Sequence, residues 1–174
     1  MEIKKELLNA LEERLKADGD IGQTVMLNAE DLGSSMDVLR AEILEFGPDL
    51  MNVLGEFFFM PFEDEGLMFF TSVITYSDSV PREAAADIAA AVARLNYYIP
   101  CGCYALGNDD KNLIYRYTAI MLNSEEKERL TQAVISAAYS SVSVAEKYLG
   151  YLLLVLKGEI TVEEMVKMML GTNN

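Results

Sequence analysis

The residues whose types and spacing suit them to chemistry are two thiols one residue apart, Cys101-Gly102-Cys103, and two carboxylate runs, Glu63-Asp64-Glu65 and Asp109-Asp110. A thiol pair binds soft metals or cycles through a disulfide. Clustered carboxylates ligate calcium or divide acid and base roles between them. Spacing argues against each use. Residues i and i+2 of a strand share a face about 6.5–7 Å apart, at the limit of disulfide reach. Two thiolates also fall short of a zinc set unless a dimer supplies the others. The expected role of Cys101 and Cys103 is therefore that of small buried hydrophobes. The acidic runs lack the spacing of a calcium loop and sit where Asp, Asn and Gly are favoured for turn geometry. No metal and no cofactor is expected.

The chain has no histidine, which removes Ser-His-Asp and Cys-His catalysis, HExxH metal sites and the usual proton shuttle near neutral pH. Its glycines stand singly at turns and helix ends, without a Walker loop or a GxGxxG element to cradle phosphates. Enzymatic activity is not expected. The unusual feature is apolar. Phe57-Phe58-Phe59 must put rings on both faces of a strand, so both faces need cover. Helices supply it, or one face binds a second subunit or an extended client segment. The candidate interaction surface comprises Phe57, Phe59, Phe69, Ala85, Ile88, Val92, Tyr97 and Tyr98.

The elements that would position these residues are legible from periodicity. Ile3, Leu7, Leu8, Leu11 and Leu15 recur at helical spacing, and Gly19 stands where such a helix stops. Residues Asp20 to Ser35 read as a connection with one brief strand or turn around Val25-Met26-Leu27. Strands are expected over Val38–Phe46, Asn52–Phe62 and Leu67–Tyr76, separated by Gly47-Pro48-Asp49 and by Glu63-Asp64-Glu65-Gly66. A helix opens at Val80-Pro81-Arg82-Glu83 and carries Ala85, Ile88, Val92, Leu95 and Ile99 on one face. Its seven alanines between 84 and 93 keep it thin enough to lie close against a sheet or a symmetry mate.

Cys101–Leu106 and Asn112–Met121 form a hairpin around Gly107-Asn108-Asp109-Asp110. Asn123 and Glu126 suggest a capping box opening a long helix that runs to Lys157. Thr161 and Glu164 suggest another before a short final helix closed by Gly171, placed to cover the all-round apolar Leu152–Leu156. The fold class is α+β: an antiparallel sheet of about five strands flanked by helices, in the order α-βββ-α-ββ-α-α. Residues 1–174 make one domain, with a C-terminal helical extension at 160–171.

Fifty-one per cent apolar residues are enough for a core without disulfide or metal staples. The net charge of −14 repels phosphate backbones and anionic membrane surfaces, so neither nucleic acid nor membrane is an expected partner. The start of the chain lacks the basic-then-apolar pattern of a secretory signal, and no apolar run reaches the roughly 20 residues that span a bilayer. A cytoplasmic location is the expectation.

A helix ending in Leu95-Asn96, the connection into Cys101–Leu106, an acidic turn and Leu113-Ile114-Tyr115-Arg116-Tyr117 together resemble one known pattern. It is that of the type III secretion chaperone-like fold, in particular the YbjN-like family of bacterial proteins. The likeness extends over nearly the whole chain. It departs from that pattern in the long Asp20–Ser35 connection and in the added helix over Thr161–Leu170. The resemblance implies a non-catalytic protein-interaction module, chaperone-like or regulatory, acting as a homodimer and binding a client or regulatory protein. The rival expectation is a small-ligand sensor or enzyme with a pocket of aromatic and carboxylate residues.

Overall fold

A computed structural model of the chain describes residues 2–62, 66–77, 80–107 and 112–171. The elements are α1 (Glu2–Lys16), β1 (Ile21–Leu27), α2 (Ala29–Leu32), β2 (Val38–Phe46), β3 (Met51–Phe59), β4 (Leu67–Ser77), α3 (Ala85–Leu95), β5 (Cys103–Leu106), β6 (Leu113–Leu122), α4 (Lys127–Leu156) and α5 (Val162–Met169). The class is α+β as expected, with six strands rather than five. They form one antiparallel sheet in the order β1-β2-β3-β4-β6-β5.

The added strand is β1, which lies within the stretch expected to be mainly a connection. Its partner residues run from Ile21 opposite Ile43 to Leu27 opposite Val38, with a bulge between Ile21 and Thr24. Gly22 and Gln23 interrupt its apolar alternation, so the pattern shows only at Val25-Met26-Leu27.

Every long helix packs on one side of the sheet. Leu7, Leu8, Leu11 and Leu15 of α1 are fully or nearly fully buried, and that helix lies against α4 and the β1–β3 end. The long helix α4 crosses β4 and β6. Its small buried residues Ala137, Ala138, Ser141 and Ala145 let the backbone approach closely. The Ala-rich α3 lies against α4, α5 and β5 at the edge of this layer. It buries Ile88, Ala91, Val92 and Leu95 and leaves Ala86, Ala89, Ala90 and Ala93 exposed. Helix α5 covers its neighbours α3 and α4, with Met165 wholly buried.

Three local expectations need correction. Residues 81–84 form a turn, closed by Ala84 N–H donating to the Pro81 carbonyl at 2.9 Å, and α3 begins only at Ala85. Glu126 is the cap of α4 without a side-chain capping bond. Asn123 instead donates its N–H to the Gly66 carbonyl at 2.8 Å, so the box proposed at 123–126 is absent. The Thr161–Glu164 box does form, with Glu164 N–H donating to Thr161 Oγ1 at 3.2 Å and Thr161 N–H to Glu164 Oε2 at 2.8 Å.

The third correction concerns the thiols. Strand β5 begins at Cys103, and Gly102 before it takes a φ of +68°. The chain bends there, so Cys101 and Cys103 do not share a strand face. Cys103 is exposed and Cys101 half-buried, both as free thiols. They are not the buried packing residues expected. A Cβ at position 102 would stand 2.3 Å from the Tyr115 hydroxyl and 2.8 Å from the Arg116 carbonyl, and only glycine fits.

Candidate functional site

Because the long helices share one side, no helix of more than four residues covers the opposite face of the sheet among the described residues. Strand parity decides what it shows. On the helix side lie Leu39, Ala41 and Ile43 of β2, Val53, Phe57 and Phe59 of β3, Met68, Phe70 and Ile74 of β4, Tyr104 of β5 and Tyr115 of β6, all buried. On the open side, cross-strand rows read Arg40, Glu56, Val73, Arg116 and Cys103, and next to them Glu42, Leu54, Thr75, Ile114 and Ala105. A third row carries Val38, Phe58, Thr71 and Thr118. Beyond it, Phe69 lies opposite Ile120, and Leu67 opposite Leu122.

The face is mixed in chemistry and more apolar toward one end. Ile120 is 65% exposed and Phe62 59%, and Phe62 meets Phe69 edge to face at 6.4 Å. In the middle, Arg40 Nε pairs with Glu56 Oε1 at 2.8 Å across β2 and β3. Glu42 Oε1 accepts from Asn52 Nδ2 at 2.9 Å. Thr71 and Thr118 share a hydroxyl hydrogen bond of 3.0 Å, with Thr71 fully shielded by its neighbours. The Arg116 guanidinium is exposed and, among the described residues, reaches only the Met60 sulfur, at 3.9 Å. A groove of about 480 Å³ runs over the β1–β3 part of this face, between Val25, Leu27, Arg40, Glu42 and Leu54.

The helix side holds the other concentration of polar atoms, a line of tyrosines under α4. Tyr76 stacks on Tyr104 at 5.8 Å, and Tyr104 meets Tyr115 edge-on at 5.2 Å. Tyr104 donates its hydroxyl to the Ala145 carbonyl, and Tyr115 donates to the Cys101 carbonyl at 2.8 Å. The Tyr76 hydroxyl sits beside that of Tyr104 but out of hydrogen-bonding geometry, and it has no partner among the described residues. Burial pushes all three phenols well above their ordinary ionisation range. The hydroxyls of Tyr104 and Tyr115 tie the sheet to α4 and to the turn before β5. That is structural work.

A second concavity of about 940 Å³ opens between the start of α1, α2 and the end of β3. Lys4, Lys5, Glu2, Glu30, Asp31 and Asp37 line it with Met60 and Pro61. Much of its polarity is already engaged: Lys5 Nζ donates to Asn28 Oδ1 at 3.0 Å, and Asp37 Oδ1 accepts from Ala29 N–H at 2.8 Å. Among the described residues no three His, Cys, Asp or Glu side chains converge to hold a metal ion, and no helix is long and apolar enough to cross a membrane. The acidic runs 63–65 and 109–110 lie outside the described residues.

The residues expected to form an interaction surface are divided by the structure. Phe57, Phe59, Ile88 and Val92 belong to the core and present nothing to a partner. Ala85 is half-buried on α3. Phe69 lies on the open sheet face, half-exposed. Tyr97, 83% exposed, and Tyr98 contact each other at 5.1 Å just beyond α3, outside the strands. The open face instead depends on Arg40, Glu56, Phe58, Arg116, Ile120 and Leu122. Alternating charges within apolar strands are the sequence signal that marks that side. A comparison of the chain with family models, curated proteins and solved structures returned no match.

Proposed function

We propose that this chain is a non-catalytic protein-interaction module of chaperone-like or regulatory type, acting as a homodimer in the bacterial cytoplasm. The observation that carries the reading is the asymmetry of the sheet: one face is sealed by helices, the other presents apolar side chains to solvent. Exposed apolar side chains rimmed by polar ones are the usual mark of a protein interaction site. The sequence resemblance to YbjN-like proteins supports the same class of function. Light scattering on the purified chain should give the mass of two copies, and a pull-down from native lysate should retain a stoichiometric protein. A strictly monomeric chain that retains nothing would overturn the proposal.

The groove beside α1 favours a second reading, a small-ligand sensor. Its volume of about 940 Å³ suits a metabolite, and it offers both lysines and carboxylates. A thermal-shift screen with polar metabolites tests it. A reproducible ligand whose effect disappears in Lys5→Ala would favour the sensor, and no shift with any compound would exclude it.

A further inference from the structure

From the arrangement of charges on the open sheet face we infer that its occupant is a second copy of this chain, packed face to face about a two-fold axis along β4, so that Arg116 of each copy meets Glu56 of the other. The inference rests on the homodimer reading above and assigns the surface and register.

Area and charge both favour a second copy. Strand spacing and rise give the overlapping strands a footprint of roughly 650–750 Å². A standard interface buries about 800 Å² per partner. The chain as a whole carries −14, so two copies repel each other at most orientations. The paired part of the open face carries two arginines, Arg40 and Arg116, against two glutamates, Glu42 and Glu56, and is neutral. It is a place where two copies approach without that repulsion.

The same charges select the register. Packed sheets keep their strands within about 30° of each other, and a two-fold interface is self-complementary. An axis along β3 would set Glu56 against its own copy. One between β3 and β4 would set Arg40 against Arg116. One running across the strands would keep β6 opposite β6, which has no carboxylate to offer Arg116. With the axis along β4, the strand order places β3 opposite β6. Arg116 then faces the Glu56 carboxylate already held by Arg40 at 2.8 Å. In the neighbouring row Leu54 faces Ile114, and on the axis Val73 and Phe69 each face their own copies. Strand β1 overhangs the rim.

Light scattering and cross-linking of the full chain test this. Wild type should have the mass of two chains, and Arg116→Glu should weaken dimerisation at least tenfold without changing the circular dichroism spectrum. Exchanging the charges, Arg116→Glu with Glu56→Arg, should recover much of the loss. In a Cys101→Ser, Cys103→Ser background, Val73→Cys on the axis should be joined to itself by a short bis-maleimide. Facing Cα atoms about 10 Å apart are too distant for a disulfide but within that reagent's reach. Tyr97→Cys, exposed beyond α3 and outside the strands, should not cross-link. A dimer indifferent to Arg116→Glu that links through position 97 and not 73 would overturn this surface while leaving the homodimer reading intact. A monomeric wild type would overturn both.

Discussion

The two faces of the sheet solve opposite problems with neighbouring residues. Phe69 and Phe70 are adjacent in β4, yet Phe70 is wholly buried between Phe57 and Phe59, while Phe69 stands half-exposed beside Phe62. On the covered face the polar side chains include the hydroxyls of Ser72, Tyr76, Tyr104 and Tyr115, and those of Tyr104 and Tyr115 are tied to backbone carbonyls. The open face adds full charges to its threonine and asparagine groups; of these Arg40 and Glu56 are paired, and Arg116 has no carboxylate within ion-pair distance among the described residues. The covered face buries its apolar side chains within one chain. The paired part of the open face is balanced in charge but leaves Arg116 without a carboxylate among the described residues.

The sharpest way to break this contrast is to truncate both phenylalanines. Phe70→Ala should cost about 3–5 kcal/mol of unfolding free energy in urea titration. Phe69→Ala should cost less than half of that and show its main effect in the monomer–dimer balance. Equal losses would mean that the two faces are equally committed to the fold.

A smaller effect is expected where the covered face meets the β5 turn. Gly102→Ala imposes a left-handed conformation on a residue with a Cβ and drives that atom into the Tyr115 hydroxyl. Roughly 2–3 kcal/mol should be lost, together with the Tyr115–Cys101 bond. Hydrogen exchange should then rise along β5 and β6 ahead of the rest of the sheet.

The tyrosines under α4 give a finer comparison. Tyr104→Phe deletes a made hydrogen bond and should cost about 1 kcal/mol. Tyr76→Phe removes a buried hydroxyl that has no partner and should be neutral or stabilising in the same titration. Reversal of that order would show that Tyr76, not Tyr104, anchors the helix.

The smallest effect lies in the helix layer. The Tyr139 hydroxyl donates to Asp18 Oδ2 at 2.7 Å. Burial and then this bond push Tyr139 up to about 12, while the bond, followed by the Asp20 N–H, lowers Asp18. Folding favours the neutral phenol, so its contribution is whole below about pH 10 and fades as pH rises toward about 12. Folding favours the Asp18 carboxylate, whose contribution is present above about pH 4 and is lost as pH falls through the lowered folded value. Tyr139→Phe should flatten the alkaline slope and remove the larger part of Asp18's acid slope in urea midpoints measured against pH.

How legible all this is in the sequence depends on whether a residue's neighbours are local. Helix α1, strands β2–β4, the β5–β6 hairpin and the α5 capping box follow from spacing and turn chemistry. The faces do not. Phe57-Phe58-Phe59 fixes that rings point both ways, but which of them points inward is set by where α1 and α4 settle, far along the chain. Phe57 and Phe59 therefore read as surface candidates when Phe58 is the outward one. Arg40, Glu56 and Arg116 come into line only through strand pairing across as many as 76 positions, a relation that no local pattern carries. The thiols mislead for a different reason: one left-handed glycine takes Cys101 out of the strand.

The Leu95-Asn96 end of α3 sets a limit on assembly. Asn96 offers its side chain to Tyr104 as a strand would, donating Nδ2–H to the carbonyl at 2.9 Å and accepting the N–H on Oδ1 at 2.8 Å. The outer rim of β5 is thereby occupied in the middle of its four residues. The opposite rim, β1, is kinked by its bulge. Neither margin makes a good template for a further strand, so lateral stacking into filaments is discouraged at both ends. What remains open is the broad surface between them, and a two-fold contact there uses itself up, ending growth at a closed pair.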